Sequence, residues 1–188
     1  MKITLSGLAG SGKSTVGKLV AQQLTCEFTS VGSWTRDFAF QHYNMTINEF
    51  QDYCKLHPEM DQEIDRKMVA YCNEQASLVI DYRLGFHFIK DALHVFLSVS
   101  DEEAHRRISS VNRSNEKTDL SDISERNQNM RDRFLKQYGV DFTDLSHYDL
   151  EIDTEKYTVE EIVGLILNVA GNKQSENTGI GRNETYIV

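Results

Sequence analysis

Apolar positions recur in two rhythms along the chain. Ile3-Thr4-Leu5 is a short strand-like run that leads into a glycine cluster. From Lys13 to Leu24 the rhythm turns helical, with Val16, Leu19, Val20 and Leu24 on one face. Residues 26–31 (CEFTSV) predict a second strand, ended by Gly32, and a helix follows from about Ser33 to Tyr43. Thr46-x-x-Glu49 is a capping box that starts another helix, through Leu56. Pro58, the single proline, opens a third helix to about Gln75. Leu78-Val79-Ile80, closed by Asp81, and Val95–Val99 read as buried strands. Helix resumes from Asp101 to about Val111. The polar, aperiodic stretch 112–121 reads as a mobile loop, and a long charged helix then runs to Tyr138, closed by Gly139. Tyr148–Ile152 is the last short strand, and Thr158-x-x-Glu161 caps a helix through Ala170. Residues 171–188 are polar and read as a weakly attached tail.

Strands that alternate with helices imply an α/β fold, a parallel sheet with helices on both faces. In such sheets ligands bind outside the carboxyl ends of the strands. The strongest motif falls at such an end. Gly7-Leu8-Ala9-Gly10-Ser11-Gly12-Lys13-Ser14 fits G-x-x-x-x-G-K-S/T in full, after a strand and at the start of a helix. Its glycines let the backbone N–H groups point inward at phosphates, and the helix adds its positive dipole end. Gly7, Gly10, Ser11, Gly12, Lys13, Ser14 and Thr15 are thus expected to bind ATP. Lys13 is expected to bridge the β- and γ-phosphates, and Ser14 to offer its hydroxyl to Mg²⁺. Asp81 closes an apolar run, as the second acidic residue of P-loop proteins does, and is the other candidate magnesium ligand. No N-K-x-D base-recognition signature is present, so ATP is the expected donor.

Composition changes this picture little. With 188 residues, the chain is long enough for one domain with a real core. A net charge of −9 argues against a nucleic-acid partner, while a single nucleotide needs only local positive charge. No apolar run approaches a membrane span, and no signal peptide precedes the first strand. The three cysteines form no C-x-x-C pair and fit a reducing compartment. The expectation is a cytoplasmic monomer that handles small nucleotides.

Arginine suits phosphoryl transfer through its bidentate fork. Arg36 and Arg83 follow strands, whereas Arg107, Arg113, Arg126, Arg131 and Arg133 flank the polar loop and suggest a lid. Arg126 and Arg133, seven apart, share a helix face.

Four segments carry a resemblance: GLAGSGKST; SVGSWTRDFA with HPEMDQEIDRK; VIDYRLG; and SERNQNMRDRFLKQYGVDFTDLSHYDLEIDT. Over about residues 1–168 the chain resembles the archaeal-type cytidylate kinases, among the nucleoside monophosphate kinases. The resemblance implies a P-loop NTPase three-layer sandwich with five parallel strands in the order 2-3-1-4-5. It implies a kinase domain over 1–170, acceptor-binding helices at about 33–76 and a lid at about 106–133. Arg36 and Arg83 look like the pair that grips the acceptor phosphate, with Asp61 and Asp65 in the acceptor helices. Arg107 and Arg113 look like lid arginines facing the donor, and Arg126 and Arg133 like a catalytic pair reaching the phosphates with Lys13. The chain departs from the family at Tyr82, where glycine is usual, and at Trp34-Thr35. The implied reaction is phosphorylation of CMP or dCMP by Mg-ATP. AMP, UMP or a non-nucleotide acceptor, and a non-catalytic nucleotide-binding regulator, are the alternatives.

Overall fold

A computed structural model describes residues 1–110, 120–177 and 186–187. Strand β1 (Lys2–Gly7) runs through the middle of the sheet. Its alternation explains why: Ile3 and Leu5 face one side, while Thr4 and Ser6, both buried, face the other. The chain continues through α1 (Lys13–Gln23), β2 (Glu27–Ser30), α2 (Val31–Tyr43), α3 (Ile47–Leu56) and α4 (Pro58–Glu74). Strand β3 (Leu78–Asp81), a four-residue helix α5 (Gly85–Phe88) and β4 (Ala92–Ser98) follow. The second half holds α6 (Asp101–Ser110), α7 (Leu120–Tyr138), β5 (Leu150–Asp153), α8 (Val159–Asn177) and β6 (Tyr186–Ile187).

All strand pairs are parallel, in the order β2-β3-β1-β4-β5-β6. The first five give the expected order 2-3-1-4-5. The sixth is new and corrects the reading of the C-terminal segment: α8 extends past Ala170 to Asn177, and Tyr186–Ile187 pair with Leu150–Glu151. Lys173 explains part of this extension, since its Nζ donates to Asp149 at 2.6 Å and to the Ala92 carbonyl at 3.1 Å. Helix α5 also went unread, being a single turn. Strand β4 starts earlier than its apolar run, because His94 interrupts the pattern yet is held against Thr4, Nδ1 to Oγ1 at 2.8 Å.

The sheet separates two apolar cores. One joins Ile3, Leu5, Val79, Leu93, Val95 and Leu97 to α1 and α8. The other joins Leu78, Ile80, Ala92 and Phe96 to α2, α3, α4, α5 and α7. Burial of that apolar area is the main favourable term in folding. The polar residues of β1 on the second side are matched: Ser6 Oγ lies 3.2 Å from the Arg83 carbonyl and 2.9 Å from Tyr148 OH, which is also 2.7 Å from the Phe142 carbonyl. No helix among the described residues is long and apolar enough to cross a membrane.

Helix α1 packs so closely on the sheet that Gly17 has no room for a side chain. A Cβ there would lie 2.4 Å from the Phe28 ring and 2.9 Å from a Leu5 methyl. Helix propensity alone makes Gly→Ala favourable by about 1 kcal/mol. Overpacking opposes it by about 1–3 kcal/mol. Gly17→Ala is therefore expected to lower stability in a urea melt. A stabilised variant would show that α1 stands further off the sheet.

Candidate active site

The phosphate loop begins where β1 leaves the sheet. Gly7, Gly10 and Gly12 have φ of 139°, 81° and 82°, a region disfavoured for other residues. At Gly7 the constraint is also spatial, since a Cβ would come within 2.2 Å of the Leu97 carbonyl oxygen. Gly12 caps α1 with no side-chain bond, and the first turn of α1 carries no acidic residue. The backbone amides at that end are thus open to an anion.

Lys13 is almost completely buried, its ammonium folded back onto the loop. It donates to the carbonyls of Gly7 at 3.0 Å and Leu8 at 2.6 Å and to Ser11 Oγ at 3.2 Å. Ser14 Oγ donates to Asp81 Oδ2 at 3.3 Å. The hydroxyl and carboxylate expected to bind a metal are therefore adjacent. Two oxygen ligands and a glycine-walled loop of amides fit Mg²⁺ with a polyphosphate, a metal that takes few protein ligands. Thr15 sits in the first turn of α1, its N–H bonded to the Gly12 carbonyl at 3.0 Å.

Asp81 also lines a cavity, of about 100 Å³, with Arg36, Arg83, Asp61, Asp65 and Arg133. The four predicted acceptor residues thus come together beside the phosphate loop. Arg133 joins them: its Nε lies 3.5 Å from Asp61 Oδ2, and its guanidinium stacks near Phe134. Among the described residues neither that nitrogen nor that oxygen has a hydrogen-bond partner, although both are buried. Each such group costs about 1–3 kcal/mol if it stays unmet, the usual mark of a site built for a ligand.

Asp65 is handled differently. The Tyr82 hydroxyl donates to its Oδ1 at 2.6 Å, and the Tyr138 hydroxyl donates to Oδ2. Tyr82 stacks on Phe88, and Tyr138 meets that ring edge-on. Burial raises the Asp65 pKa above its ordinary value, while the two phenols and Arg133 pull it back. Burial likewise raises Asp61, opposed by Arg133 and reinforced by Asp65. Both phenols are pushed upward, chiefly by burial and then by Asp65, so they stay protonated donors. The Cys54 thiol in the cavity wall is pushed up to about 12 by burial and is inert.

The lid arginines divide. Arg107 is tied at the end of β5, donating to Glu103 at 2.7 Å, Thr154 Oγ1 at 2.9 Å and the Thr154 carbonyl at 3.0 Å. Arg126 lies on α7. Arg113 and most of the expected loop 112–121 lie outside the described residues. Arg131 is committed to Asp141, Nε to Oδ2 at 2.9 Å. Sequence reasoning missed Tyr138 and Asn127. The Asn127 side-chain carbonyl accepts the Ala9 N–H of the phosphate loop at 3.2 Å. Both lie in the segment that starts at Ser124 and carries the resemblance, but no local pattern there tells which distant group each one meets.

The model of the cytidylate kinase-like family matches residues 2–156. A cytidylate kinase of Pyrococcus horikoshii is 33% identical over 187 residues, 94% of this chain and 96% of its own. An S-adenosylmethionine-dependent nucleotide dehydratase of Lacinutrix mariniflava is 58% identical over 166 residues, 88% of this chain. The chain spans only 35% of that relative's length. Among solved structures, shikimate kinase from Acinetobacter baumannii has a TM-score of 0.60 at 19% identity, covering 92% of this chain and 93% of its own. Deoxyadenosine kinase from M. mycoides has a TM-score of 0.56 at 18% identity, covering 92% and 100%. At those identities the structures speak for the fold, a P-loop kinase sheet with helices on both sides.

The Tyr82 bond to Asp65 is testable through its pH dependence. Phenol donation favours the ionised carboxylate. Tyr82→Phe should cost about 1–3 kcal/mol near neutrality. The loss should shrink below 3.8, the ordinary Asp value, where the carboxyl is protonated in both states. Urea unfolding at the two pH values checks this. A loss that is equal or larger in acid would show that the phenol does not serve the carboxylate.

Proposed function

The chain belongs to the cytidylate kinase-like family, and on that footing we propose that it transfers the γ-phosphoryl group of ATP to CMP or dCMP. The carrying observation is the position of Asp81. It bonds Ser14 of the phosphate loop and also lines the acidic and basic cavity, so donor and acceptor sites share one wall. An acceptor-phosphate oxygen forms a bond to the γ-phosphorus as the bond from that phosphorus to the ADP oxygen breaks. No covalent enzyme intermediate is needed, and catalysis is positioning plus charge stabilisation.

Each group has a part in this reading. The loop around Gly7, Gly10, Ser11 and Gly12 holds the phosphates of ATP through its amides, with Thr15 in the first turn of the helix behind it. Lys13 leaves the carbonyls of Gly7 and Leu8 for the β- and γ-phosphates. Ser14 and Asp81 hold Mg²⁺, which supplies charge neutralisation. Arg36 and Arg83 grip the acceptor phosphate. Arg107, Arg113 and Arg126 serve the donor from the lid.

The base is read by the Asp61–Arg133 pair. It offers a buried acceptor beside a buried donor, both unmet. The cytosine edge presents a complementary pair, the 4-amino donor beside the N3 acceptor. Uracil reverses that order and would leave both groups unsatisfied, a strong basis for discrimination. Adenine has the same pattern on a two-ring frame, so AMP is the acceptor against which CMP has to be compared. Asp65, saturated by two phenols, positions this wall rather than reading the base.

A further reading concerns the product. The L. mariniflava relative, 58% identical here yet mostly outside the matched region, is named a nucleotide dehydratase. That favours a kinase whose cytidine nucleotide product supplies nucleotide to such a reaction.

Arg36→Ala and Arg83→Ala are expected to weaken CMP binding by about 2–5 kcal/mol. ADP binding should stay close to wild type. Calorimetric titration with CMP and with ADP separates the two sites. Equal losses for both ligands would contradict the assignment of these arginines to the acceptor.

A further inference from the structure

A second cavity, of about 250 Å³, lies between Leu8 of the phosphate loop and the arginine-bearing helix α7. Most of its polar side chains are already satisfied. Ser124 Oγ donates to Asp101 at 2.8 Å, and Gln128 Nε2 donates to Asp132 at 2.8 Å. Arg131 Nε and Thr143 Oγ1 both donate to Asp141, at 2.9 and 2.6 Å. Asn127 is the exception. Its Oδ1 accepts the Ala9 N–H at 3.2 Å, and because that N–H can only donate, the side-chain amide is fixed with Nδ2 pointing away. Nδ2 is buried and has no hydrogen-bond partner among the described residues. A buried amide nitrogen with nothing to donate to is costly, and a native fold keeps one where a ligand completes it.

The location identifies the ligand chemistry. Ala9 belongs to the glycine-rich turn whose amides face phosphate in this motif. Without nucleotide, the Asn127 carbonyl holds one of those amides while Lys13 is held by the loop's carbonyls. Loop and helix are therefore latched together through groups that a triphosphate would claim. We propose that Asn127 is a positioning residue for the terminal phosphate of the donor. It releases the Ala9 amide and donates Nδ2–H to a γ-phosphate oxygen, so that α7 registers whether a triphosphate or a diphosphate is bound. The neutral amide adds a directed donor where further positive charge would hold the ADP product as well. This rests on the nucleotide-binding reading above, with the γ-phosphate as the group discriminated.

The test compares a non-hydrolysable ATP analogue with ADP by calorimetry in Mg²⁺ buffer, using wild type, Asn127→Ala and Asn127→Asp. A hydrogen bond to a charged oxygen is worth about tenfold or more in affinity. Asn127→Ala should weaken the analogue by about tenfold and ADP by less than about twofold. Asn127→Asp keeps the acceptor for Ala9 but loses the donor, and should discriminate against the analogue more strongly still. A thermal melt of each variant establishes that it is folded. If Asn127 only fastens α7 to the loop, Asn127→Asp will weaken the analogue and ADP in similar measure through its added charge, and Asn127→Ala will weaken both alike. Either result overturns the proposal. Wild-type protein that binds neither nucleotide would overturn the nucleotide-binding reading itself, a distinct result.

Discussion

The contact between Ser14 and Asp81 organises the molecule. Ser14 starts the helix behind the phosphate loop, and Asp81 ends the strand beside β1. Their 3.3 Å hydrogen bond exists because Leu5 of β1 is in register with Asp81 of β3. That register is set by apolar packing: Ile3, Leu5 and Val79 are fully buried on one face, and Leu78 and Ile80 on the other. A one-residue slip would turn each of these side chains to the opposite core and carry Asp81 away from the loop. Ser14 and Asp81 are thus positioned by the hydrophobic core, and the loop glycines only permit what the sheet dictates.

The cavity beside Asp81 is arranged in the opposite way. It gathers three aspartates and three arginines around about 100 Å³ of space. Desolvation of charge is expensive, and the fold offsets only part of it. Asp65 receives two phenolic hydrogen bonds from Tyr82 and Tyr138. Asp61 keeps a loose ion pair at 3.5 Å and an oxygen without a hydrogen bond. Two carboxylates one helical turn apart therefore have different tasks. The saturated one holds the wall, and the unsaturated one is free for a ligand. The two phenols, of Tyr82 and Tyr138, fix that difference.

The phosphate loop was legible in the sequence because its residues are contiguous and each has a local reason. The sheet order was legible as a family property, and the strands as short apolar runs. Helix α5 was too short to show a period, and His94 broke the run that opens β4. The sixth strand lay in a segment whose polar composition gave no strand signal. Contacts across the chain were beyond reach for a different reason. Asn127 and Ala9 are 118 positions apart, and Tyr138 and Asp65 are 73 apart. No local pattern encodes such pairs. The ion pair of Arg133 with Asp61 is likewise a contact between distant parts of the chain.

The central claim is that the cavity beside Asp81 selects a cytidine monophosphate as phosphoryl acceptor. The most direct measurement is a coupled assay of ADP release with Mg-ATP and, separately, CMP, dCMP, UMP and AMP, with product identity checked by phosphorus NMR. The account predicts that kcat/KM for CMP or dCMP exceeds that for UMP and AMP by about tenfold or more. Equal turnover of UMP, a preference for AMP, or no acceptor-dependent ADP release would contradict it.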